Sequence, residues 1–510
     1  MKNEWMQELG EFREKTRLFY AGEMSKGDYK GFSGKFGSYA QRGGKAGMLR
    51  LRLTAGRIDK EKLKFIADVI EEHQVKKVHL TTCMTVQLHD LAPETICALM
   101  EQALSHGIIT MGGGGDYPRN VMASPLSGAE CGEYFDVMPW AEKTAEYLLT
   151  LINAEKMPRK LKVCFSNGPA NVPHATFRDL GFVAREDGLF DVYCAGGLGN
   201  NPRLGVKVAQ AVEPSDVLFH VKAMRDMFLA HGNYQQRGRA RTRYLQETLG
   251  EEGLHAVYSE LLERAKKEHP ELKVSVQANA ISKQGIVRSF DSKRVIAQKQ
   301  EGLYAVAYHP IGGTPSPDVF GRLYAVIKDM EDVEVRLSPD ESLYVINLNG
   351  DEVQQVLDVL SDGARTLFET SVACIGASVC QVGVRDSQQL LRSCVDAVRE
   401  AEIADGALPQ IHISGCPSSC GTHQTGEIGF HGGVKLIDKV ANPAFTLHIL
   451  GCDKQGEERL GEPLGVMLEK SIPEFLVRLG KTVEASGLPF SEWKKGRRDE
   501  IVALAADYLV

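Results

Sequence analysis

Hydrophobic and polar residues alternate over residues 48–53 (Met-Leu-Arg-Leu-Arg-Leu), which is the pattern of a β-strand with two unlike faces. An amphipathic helix is predicted over residues 59–73, where apolar side chains recur at helical spacing. A second strand at 77–80 runs on through the polar residues 81–85 into a third apolar segment that ends at Leu88. The first part of the chain therefore predicts the order strand, helix, strand, turn and strand.

A similar unit recurs about 257 residues later, which suggests an internal duplication. Residues 303–308 predict a strand, 317–330 a helix, 333–339 a second strand and 343–346 a third. Two such halves could pair into one pseudo-symmetric domain. Because any α/β protein contains this order of elements and few residues are identical between the copies, a chance similarity remains open.

Length and composition indicate a large globular protein of several domains, with 510 residues that are 43% hydrophobic and 25% charged. The net charge is −7, from 60 Lys+Arg against 67 Asp+Glu, so bulk charge does not favour nucleic acid as a partner. The first five residues are too polar for a secretory signal, and no apolar run approaches membrane-spanning length. We therefore expect a cytoplasmic protein with no membrane partner.

Two close cysteine pairs stand out among eleven cysteines, namely Cys374 with Cys380 and Cys416 with Cys420. An odd number of cysteines without a signal peptide argues for reduced thiols, some of them metal ligands. Four thiolates suit a [4Fe–4S] cluster, in which each iron takes one sulfur from the protein. Zinc is the alternative, although structural zinc favours shorter spacings than the one between Cys374 and Cys380.

Glycine-rich and basic segments suggest contacts with an anionic group. The segments at 112–115 and 196–205 could bind carboxylates or phosphates through their backbone amides, or could form plain tight turns. A strand over 158–162 would place Lys160 and Lys162 on one face, where two cations in a cleft would attract an anion and could donate protons. A solvated basic edge is the simpler alternative.

Several ordered motifs together make the chain similar to the siroheme-dependent nitrite and sulfite reductases over roughly residues 30–450. The segments that carry this resemblance are Cys374-x5-Cys380, Gly415-Cys416-Pro-Ser-Ser-Cys420-Gly421, Met48-Leu-Arg-Leu-Arg52, Pro118-Arg-Asn-Val121, Pro158-Arg-Lys-Leu-Lys162, Gly197-Leu-Gly-Asn-Asn-Pro202 and Gln298-Lys-Gln-Glu-Gly-Leu-Tyr304.

The resemblance implies a pseudo-twofold α/β fold, in which two half-repeats form one domain and two further α/β domains enclose the cofactors. We predict five segments on this basis: an N-terminal arm over 1–45, a first ferredoxin-like half-repeat over 46–115, a siroheme-binding α/β domain over 116–284, a second half-repeat over 285–365 and a [4Fe–4S]/siroheme domain over 366–510.

The resemblance also implies a six-electron reductase of a small inorganic anion, with siroheme and a [4Fe–4S] cluster as cofactors. The four cysteines would ligate the cluster, and Cys420 would also bridge to the siroheme iron. Arg50, Arg119, Lys160 and Lys162 would surround the substrate. The residues that match siroheme-contacting positions are Gln87, His89, Asn120, Arg159, Gly197, Asn200, Asn201 and Cys420.

Sulfite is the first substrate that the resemblance suggests, because Lys162 matches the second lysine of sulfite enzymes where nitrite enzymes commonly have asparagine. Nitrite reduction to ammonia is the alternative. The electron donor is expected to be a separate ferredoxin or flavoprotein, since the chain contains no recognisable donor module.

The chain departs from the family at His79 and Cys83, two positions where arginines usually pair with siroheme carboxylates. Neither a thiol nor a neutral imidazole can replace a bidentate guanidinium, so Arg57 or Lys45 could compensate. This departure alone supports a third hypothesis, a redox sensor or electron carrier that keeps the cofactors while its catalysis is altered.

Overall fold

The computed structural model describes residues 2–277 and 280–510. Its α-helices are α1 Lys2–Tyr20, α2 Lys26–Ser33, α3 Lys60–Glu72, α4 Pro93–Ser105, α5 Met138–Thr150, α6 Val217–His231, α7 Leu245–Glu268, α8 Val319–Ile327, α9 Val353–Val359, α10 Ser387–Glu400, α11 Ile472–Ala485, α12 Phe490–Trp493 and α13 Arg498–Ala506. Among the described residues, no helix is long and apolar enough to cross a lipid bilayer.

The strands of the described residues lie between these helices, singly or in runs. They are β1 Ser38–Ala40, β2 Gly47–Arg52, β3 Arg57–Ile58, β4 Lys77–Leu80, β5 Thr85–Leu91, β6 Met122–Ala123, β7 Val163–Ser166, β8 Leu180–Ala184, β9 Phe190–Cys194, β10 Val206–Val212, β11 Val295–Ala297, β12 Leu303–Tyr308, β13 Glu334–Leu337, β14 Leu343–Asn349, β15 Val372–Ala373, β16 Ile411–Ser414, β17 Ile428–Ile437, β18 Val440–Ile449 and β19 Glu462–Leu468.

Backbone contacts divide the chain into two units. Unit 1 comprises residues 1–197, 203–308 and 316–361, and unit 2 comprises 198–202, 309–315 and 362–510. Unit 1 contains two large apolar cores, one around Phe12, Leu51 and Val345 and one around Phe165 and Phe182. Unit 2 has its own core, in which Trp493 and Phe475 are fully enclosed.

Two antiparallel sheets of unit 1 repeat the same strand order, which confirms the predicted duplication. The first sheet has the order β1-β2-β5-β4, and the second has β11-β12-β14-β13 with β3 added at its edge. The central pairs correspond, since Arg50 lies opposite Gln87 in the first sheet and Val306 lies opposite Val345 in the second. The fold class predicted from the sequence is therefore confirmed.

A second type of sheet occurs once in each unit, again with matching topology. In unit 1, β6, β7 and β8 run parallel and continue antiparallel into β9 and β10. In unit 2, β15, β16 and β17 run parallel and continue antiparallel into β18 and β19. Because the carboxyl ends of neighbouring parallel strands meet at one edge, the loops that follow them lie side by side.

One local prediction needs correction. The residues predicted as an N-terminal arm form α1 and α2, and Trp5, Leu9 and Phe12 of α1 bury their side chains in the first core of unit 1. The basic segment 158–162 is not a strand: β7 begins at Val163, and only Leu161 pairs, in an isolated bridge with Pro118. Only Leu161 is paired in this way, so strand geometry does not place Lys160 and Lys162 on one face.

Candidate functional site

The four cysteines of unit 2 lie on two loops that follow neighbouring parallel strands. Cys374 comes directly after β15, and Cys416 follows β16 by two residues. The backbone amide of Cys374 donates to the carbonyl oxygen of Ile413 at 3.1 Å, which keeps the two strand ends together. Parallel pairing thus brings two distant sequence motifs to one edge of the sheet.

Polar groups of the loops already point at the Cys374 sulfur. The amide of Gly415 lies 3.2 Å from Sγ, and the Ser387 hydroxyl lies 3.2 Å from it. Burial and the nearby Cys420 together raise the pKa of the Cys374 thiol to about 12, against these donors. A thiol of this kind becomes a thiolate only when a metal cation compensates the charge, and amide donors to sulfur are what a cluster ligand needs.

Glycines allow the cysteine loops to turn tightly. A Cβ on Gly421 would lie 2.1 Å from the carbonyl oxygen of Ile413, and one on Gly376, whose φ is +72°, would lie 2.8 Å from the amide of Ser387. Cys420 lies between Ser419 and Gly421 in the second loop, and it is exposed. It is the cysteine that the sequence predicts as the bridge to a second cofactor.

The predicted glycine–asparagine loop belongs to unit 2 through residues 198–202. The Gln424 side chain forms two hydrogen bonds with this loop. Its oxygen accepts from the Gly199 amide at 2.8 Å, and its nitrogen donates to the Gly199 carbonyl oxygen at 3.0 Å. Gly199 has φ +106°, and Asn201 is also left-handed. Gly197 itself pairs with Arg203 in unit 1, and Asn200 lies in the same turn.

In unit 1, β2 and β5 present Arg50, Gln87 and His89 side by side. The Gln87 amide nitrogen donates to His89 Nε2 at 3.1 Å, and its oxygen accepts from Arg50 Nε at 3.1 Å. Burial, with the charges of His79, Lys77 and Arg50, holds the pKa of His89 well below its usual range, so its imidazole is neutral. Sequence reasoning placed all three residues in the site, and the strand register brings them together.

Arg119 and Arg52 form a buried cationic group beside Arg50. Arg119 donates to the carbonyl oxygens of Gly113 at 2.8 Å and Gly115 at 2.7 Å. Arg52 donates to the Arg119 carbonyl oxygen at 2.9 Å. Burial and the neighbouring arginines lower the pKa of Arg52 to about 9, and burial with the Arg50 charge lowers that of Arg119 to about 10.

The Nε atom of Arg119 is buried and has no hydrogen-bond partner among the described residues. Arg52 is only 6% exposed and Arg50 is half-buried, so the polar side of the alternating segment 48–53 is not a fully solvent-exposed face. Neighbouring positive charges repel one another, and an anion would relieve that repulsion. The group therefore has the charge of an anion-binding site.

Lys162 and Cys83 form a charge pair that the sequence does not predict. Burial raises the pKa of the Cys83 thiol, but the positive charges of Lys162, Arg178 and Arg50 outweigh this effect and lower it to about 6. Burial lowers the pKa of Lys162, and the positive charges of Arg178 and Arg241 lower it further, whereas the charge of Cys83 raises it. At neutral pH the side chain that replaces a family arginine is therefore a thiolate.

Other predicted site residues bind protein groups. The Arg159 guanidinium donates to Asp116 at 2.7 Å, and the Asn120 amide donates to the carbonyl oxygens of Leu53, Cys83 and Met84 at 2.8–3.1 Å. Asn120 thus fixes the turn that carries Cys83. Lys160 is half-buried just before Leu161.

The departures from the family are also explained locally. His79 is buried with its Nε2 3.5 Å from a carboxylate oxygen of Glu341, in the second half-repeat. Arg57 donates to Glu334 at 2.7 Å and Glu142 at 3.0 Å, so its charge is neutralised within unit 1. Arg57 is therefore not a compensating donor, and Lys45 is exposed in the β1–β2 turn.

Comparison with known proteins supports the family resemblance that the sequence motifs carry. A model described as the nitrite and sulphite reductase 4Fe-4S domain matches residues 114–266, and one described as the nitrite/sulfite reductase ferredoxin-like half domain matches 39–106. The chain belongs to the nitrite and sulfite reductase family. It is accordingly an oxidoreductase whose cofactors are siroheme and a [4Fe–4S] cluster.

Named relatives cover both substrates of this family. Sulfite reductase (ferredoxin) 1 of Mycolicibacterium paratuberculosis is 27% identical over 79% of this chain and 73% of the relative. The ferredoxin–nitrite reductase of Synechococcus elongatus is 26% identical over 76% of both chains. The solved structure of the Mycobacterium tuberculosis NirA protein matches the fold with a TM-score of 0.79, 22% identity and coverage of 96% and 94%.

The residues of each unit fit the cofactors of the family. Four thiols, with an amide donor at the Cys374 sulfur, suit a cluster, and the buried Arg119 Nε, which has no hydrogen-bond partner among the described residues, suits a macrocycle rich in carboxylates or its anionic substrate. The family match over 114–266 covers the sheet of β6 to β10 in unit 1, whereas the four cysteines lie on loops that follow strands of the topologically equivalent sheet of unit 2. Sequence reasoning missed Arg178 and Arg241, for which no motif gives a signal.

Proposed function

We propose that the chain is an assimilatory-type sulfite reductase, which reduces sulfite to sulfide with six electrons. The balanced reaction consumes seven protons and releases HS⁻ and three waters. The observation that carries this proposal is the position of Lys162 in unit 1, where this half-buried lysine lies near the positive charges of Arg178 and Arg241. Sulfite carries up to two negative charges and gains more from an extra cation than nitrite does.

Arg50, Arg119, Lys160 and Lys162 are proposed to bind the substrate oxyanion. Burial lowers the pKa of Lys162, which makes its ammonium a better proton donor for each departing oxygen. The two arginines would hold the anion through charge-assisted hydrogen bonds. Cys83 compensates part of the charge of Lys162, which leaves this pocket less positive than one with an arginine at that position.

Gln87, His89, Asn120, Arg159, Gly197, Asn200 and Asn201 are proposed as contacts of the siroheme periphery. Their present partners indicate different roles. The uncharged side chains of His89 and Gln87 form a hydrogen-bonded network with the Arg50 guanidinium, whereas Asn120 acts through the backbone of the Cys83 turn. Arg159 shares Asp116 with Arg237, so a carboxylate of the macrocycle would have to compete with that ion pair.

Cys374, Cys380, Cys416 and Cys420 are proposed as the cluster ligands, with Cys420 shared with the siroheme iron. A cluster and a siroheme held by these residues would supply the one-electron chemistry that a six-electron reduction needs. Replacement Cys374→Ser should abolish the cluster and with it sulfite reduction. The matched control is Cys452→Ser, since Cys452 lies in unit 2 outside the four and should leave iron and labile sulfide unchanged.

A ferredoxin is proposed as the electron donor, because both named relatives carry ferredoxin in their names. The donor proposal predicts saturable sulfite reduction with reduced ferredoxin. Activity with a reduced flavoprotein but not with ferredoxin would contradict it.

We further propose a cytoplasmic location, where thiol ligands stay reduced, and the five-segment division predicted from the sequence.

Steady-state assays with reduced methyl viologen test the substrate. We expect kcat/KM for sulfite to exceed that for nitrite by at least about tenfold, since one charge-assisted contact contributes about 1.5–3 kcal/mol. Lys162→Asn should lower kcat/KM for sulfite by about 10- to 100-fold and change that for nitrite less. The control Lys156→Asn removes an exposed lysine and should change neither.

Nitrite reduction to ammonia is the second candidate, favoured by the nitrite reductases among the relatives. A higher kcat/KM for nitrite than for sulfite would establish it. Absence of turnover of either anion by a chain that holds both cofactors would favour a redox sensor or electron carrier, and would contradict both enzyme proposals.

A further inference from the structure

Three histidines of unit 2 converge beside the cysteine loops. His431 lies in β17 and His448 in β18, and the pairing of His431 with Thr446 makes His448 its diagonal neighbour on the same sheet face. His423 follows the Cys420 turn and is 1% exposed. The ring centroids are 4.9 Å, 4.9 Å and 5.1 Å apart.

One nitrogen from each ring points toward the others. His431 Nδ1 lies 2.9 Å from His448 Nε2, and one ligand atom of each of the three histidines lies within 4.8 Å of the other two. This is the juxtaposition that a small cation requires. Hydrogen bonding among the imidazoles can account for the one short pair, but not for the approach of the third ring.

Two of the three rings, those of His423 and His448, have outer partners at their other nitrogen that orient the ring. His423 Nδ1 lies 3.0 Å from the Ser414 hydroxyl, which leaves Nε2 for the group of three. His448 Nδ1 lies 3.4 Å from the carbonyl oxygen of Gly461, which likewise leaves its Nε2. Metal-bound histidines characteristically donate their second N–H to a hydroxyl or carbonyl oxygen in this way.

We propose that His423, His431 and His448 bind a divalent zinc ion through Nε2, Nδ1 and Nε2 respectively, with a water as the fourth ligand. Among the described residues the group contains neither a carboxylate nor a thiolate, and three imidazoles suit zinc among the common divalent cations. The proposal is independent of the sulfite reductase assignment and concerns a site apart from the four cysteines.

Distances and protonation agree with this assignment. Zn–N bonds of about 2.05 Å in a tetrahedral site separate ligand nitrogens by about 3.3 Å, so the 2.9 Å pair needs to open by only a few tenths of an ångström. Burial, with the neighbouring imidazoles, lowers the pKa of His423 well below its usual range and that of His431 to about 4. The rings are therefore neutral at pH 7, the form that binds metal.

A zinc ion here would tie three elements together. His431 and His448 belong to the β17–β18 hairpin, whereas His423 is linked through Ser414 to the end of β16, two residues before Cys416. The metal would thus fasten the turn after the cysteine loop to the hairpin. We expect its removal to loosen that turn more than the rest of unit 2.

The test is zinc analysis of the full-length protein, purified as it is produced and incubated with one equivalent of Zn²⁺ before gel filtration. We expect about one zinc per chain. His431→Gln and His448→Gln should each lose it while keeping the iron content of the parent. The control His269→Gln removes a histidine paired with Glu271 on the surface and should keep the zinc.

X-ray absorption at the zinc edge of the unmodified protein needs no variant and keeps the test decisive if the substitutions impair folding. We expect three nitrogen scatterers at about 2.0–2.1 Å and one oxygen. Absence of zinc, retention of zinc in both glutamine variants, or sulfur scatterers at about 2.3 Å would each overturn the proposal, the last by placing zinc at the cysteines.

Discussion

The pairing of Lys162 with Cys83 makes a quantitative prediction about thiol ionisation. With a pKa of about 6, Cys83 is about 90% thiolate at pH 7, against about 1% for a thiol with the ordinary value of 9.0. Replacement Lys162→Met removes the largest of the charges that favour the thiolate while keeping most of the side-chain volume. We therefore expect the Cys83 pKa to rise in this variant.

The size of the rise follows from Coulomb's law. A unit charge about 4 Å away contributes on the order of 4 kcal/mol at an effective dielectric constant of about 20. Because Cys83 is partly exposed, we expect about half of this, which corresponds to about 1.5 pKa units. The midpoint should move from about 6 to about 7.5.

The assay is alkylation of Cys83 by iodoacetamide, followed by peptide mass spectrometry between pH 4.5 and 10. A rate at pH 7 alone does not separate the variants, because a more basic thiolate is also more nucleophilic and the two effects nearly cancel. At pH 5 the variant should react about sixfold more slowly, since its thiolate fraction falls about 30-fold and its intrinsic reactivity rises about fivefold. The midpoint of the pH profile is the decisive quantity.

Lys156→Met is the matched control, because it removes an exposed lysine that does not act on Cys83. Its profile should coincide with that of the parent. A parent midpoint near 9, or the same midpoint in Lys162→Met as in the parent, would refute the electrostatic reasoning and with it the description of this pocket.

Two further predictions concern the framework of the site. Phe12→Ala should lower the free energy of unfolding of unit 1 by about 3–5 kcal/mol, because the ring is fully buried, whereas Met6→Ala at the exposed face of α1 should change it by less than about 0.5 kcal/mol. Equal melting temperatures of the two variants would show that α1 is not part of the core. Gly421→Ala should lower the cluster iron content severely, since its Cβ would lie 2.1 Å from a carbonyl oxygen, whereas Gly433→Ala has open space and should retain the iron. Full iron content in Gly421→Ala would contradict the tight loop.

The sequence predicts the repeated sheet because strand and helix patterns depend on local periodicity. The alternation over residues 48–53 gives β2, and the matching segment at 303–308 gives β12. The same alternation does not show that both faces of β2 are covered, so the burial of Arg52 could not be predicted. Its guanidinium is satisfied by carbonyl oxygens from residues 111–119, which only the tertiary fold brings near.

Some features of the candidate site can likewise be predicted from the sequence, whereas others depend on the tertiary fold. Motif spacing is enough to select Cys374 and Cys416 from the sequence. The parallel strands β15 and β16 then place the loops that carry these cysteines at one edge of the sheet. The thiolate character of Cys83 is not encoded near it in sequence, since Lys162 and Arg178 reach it from distant segments. The three histidines are likewise separated by 8 and 17 positions, and only the β17–β18 register brings two of them onto one face.

The absorption spectrum of the purified chain, recorded together with its iron and acid-labile sulfide, tests the central claim most directly. The account predicts siroheme bands superimposed on iron–sulfur absorption, with about five iron atoms and about four labile sulfides per chain, since a cubane cluster holds four of each and siroheme adds one iron. A folded chain without macrocycle bands and without labile sulfide would contradict it.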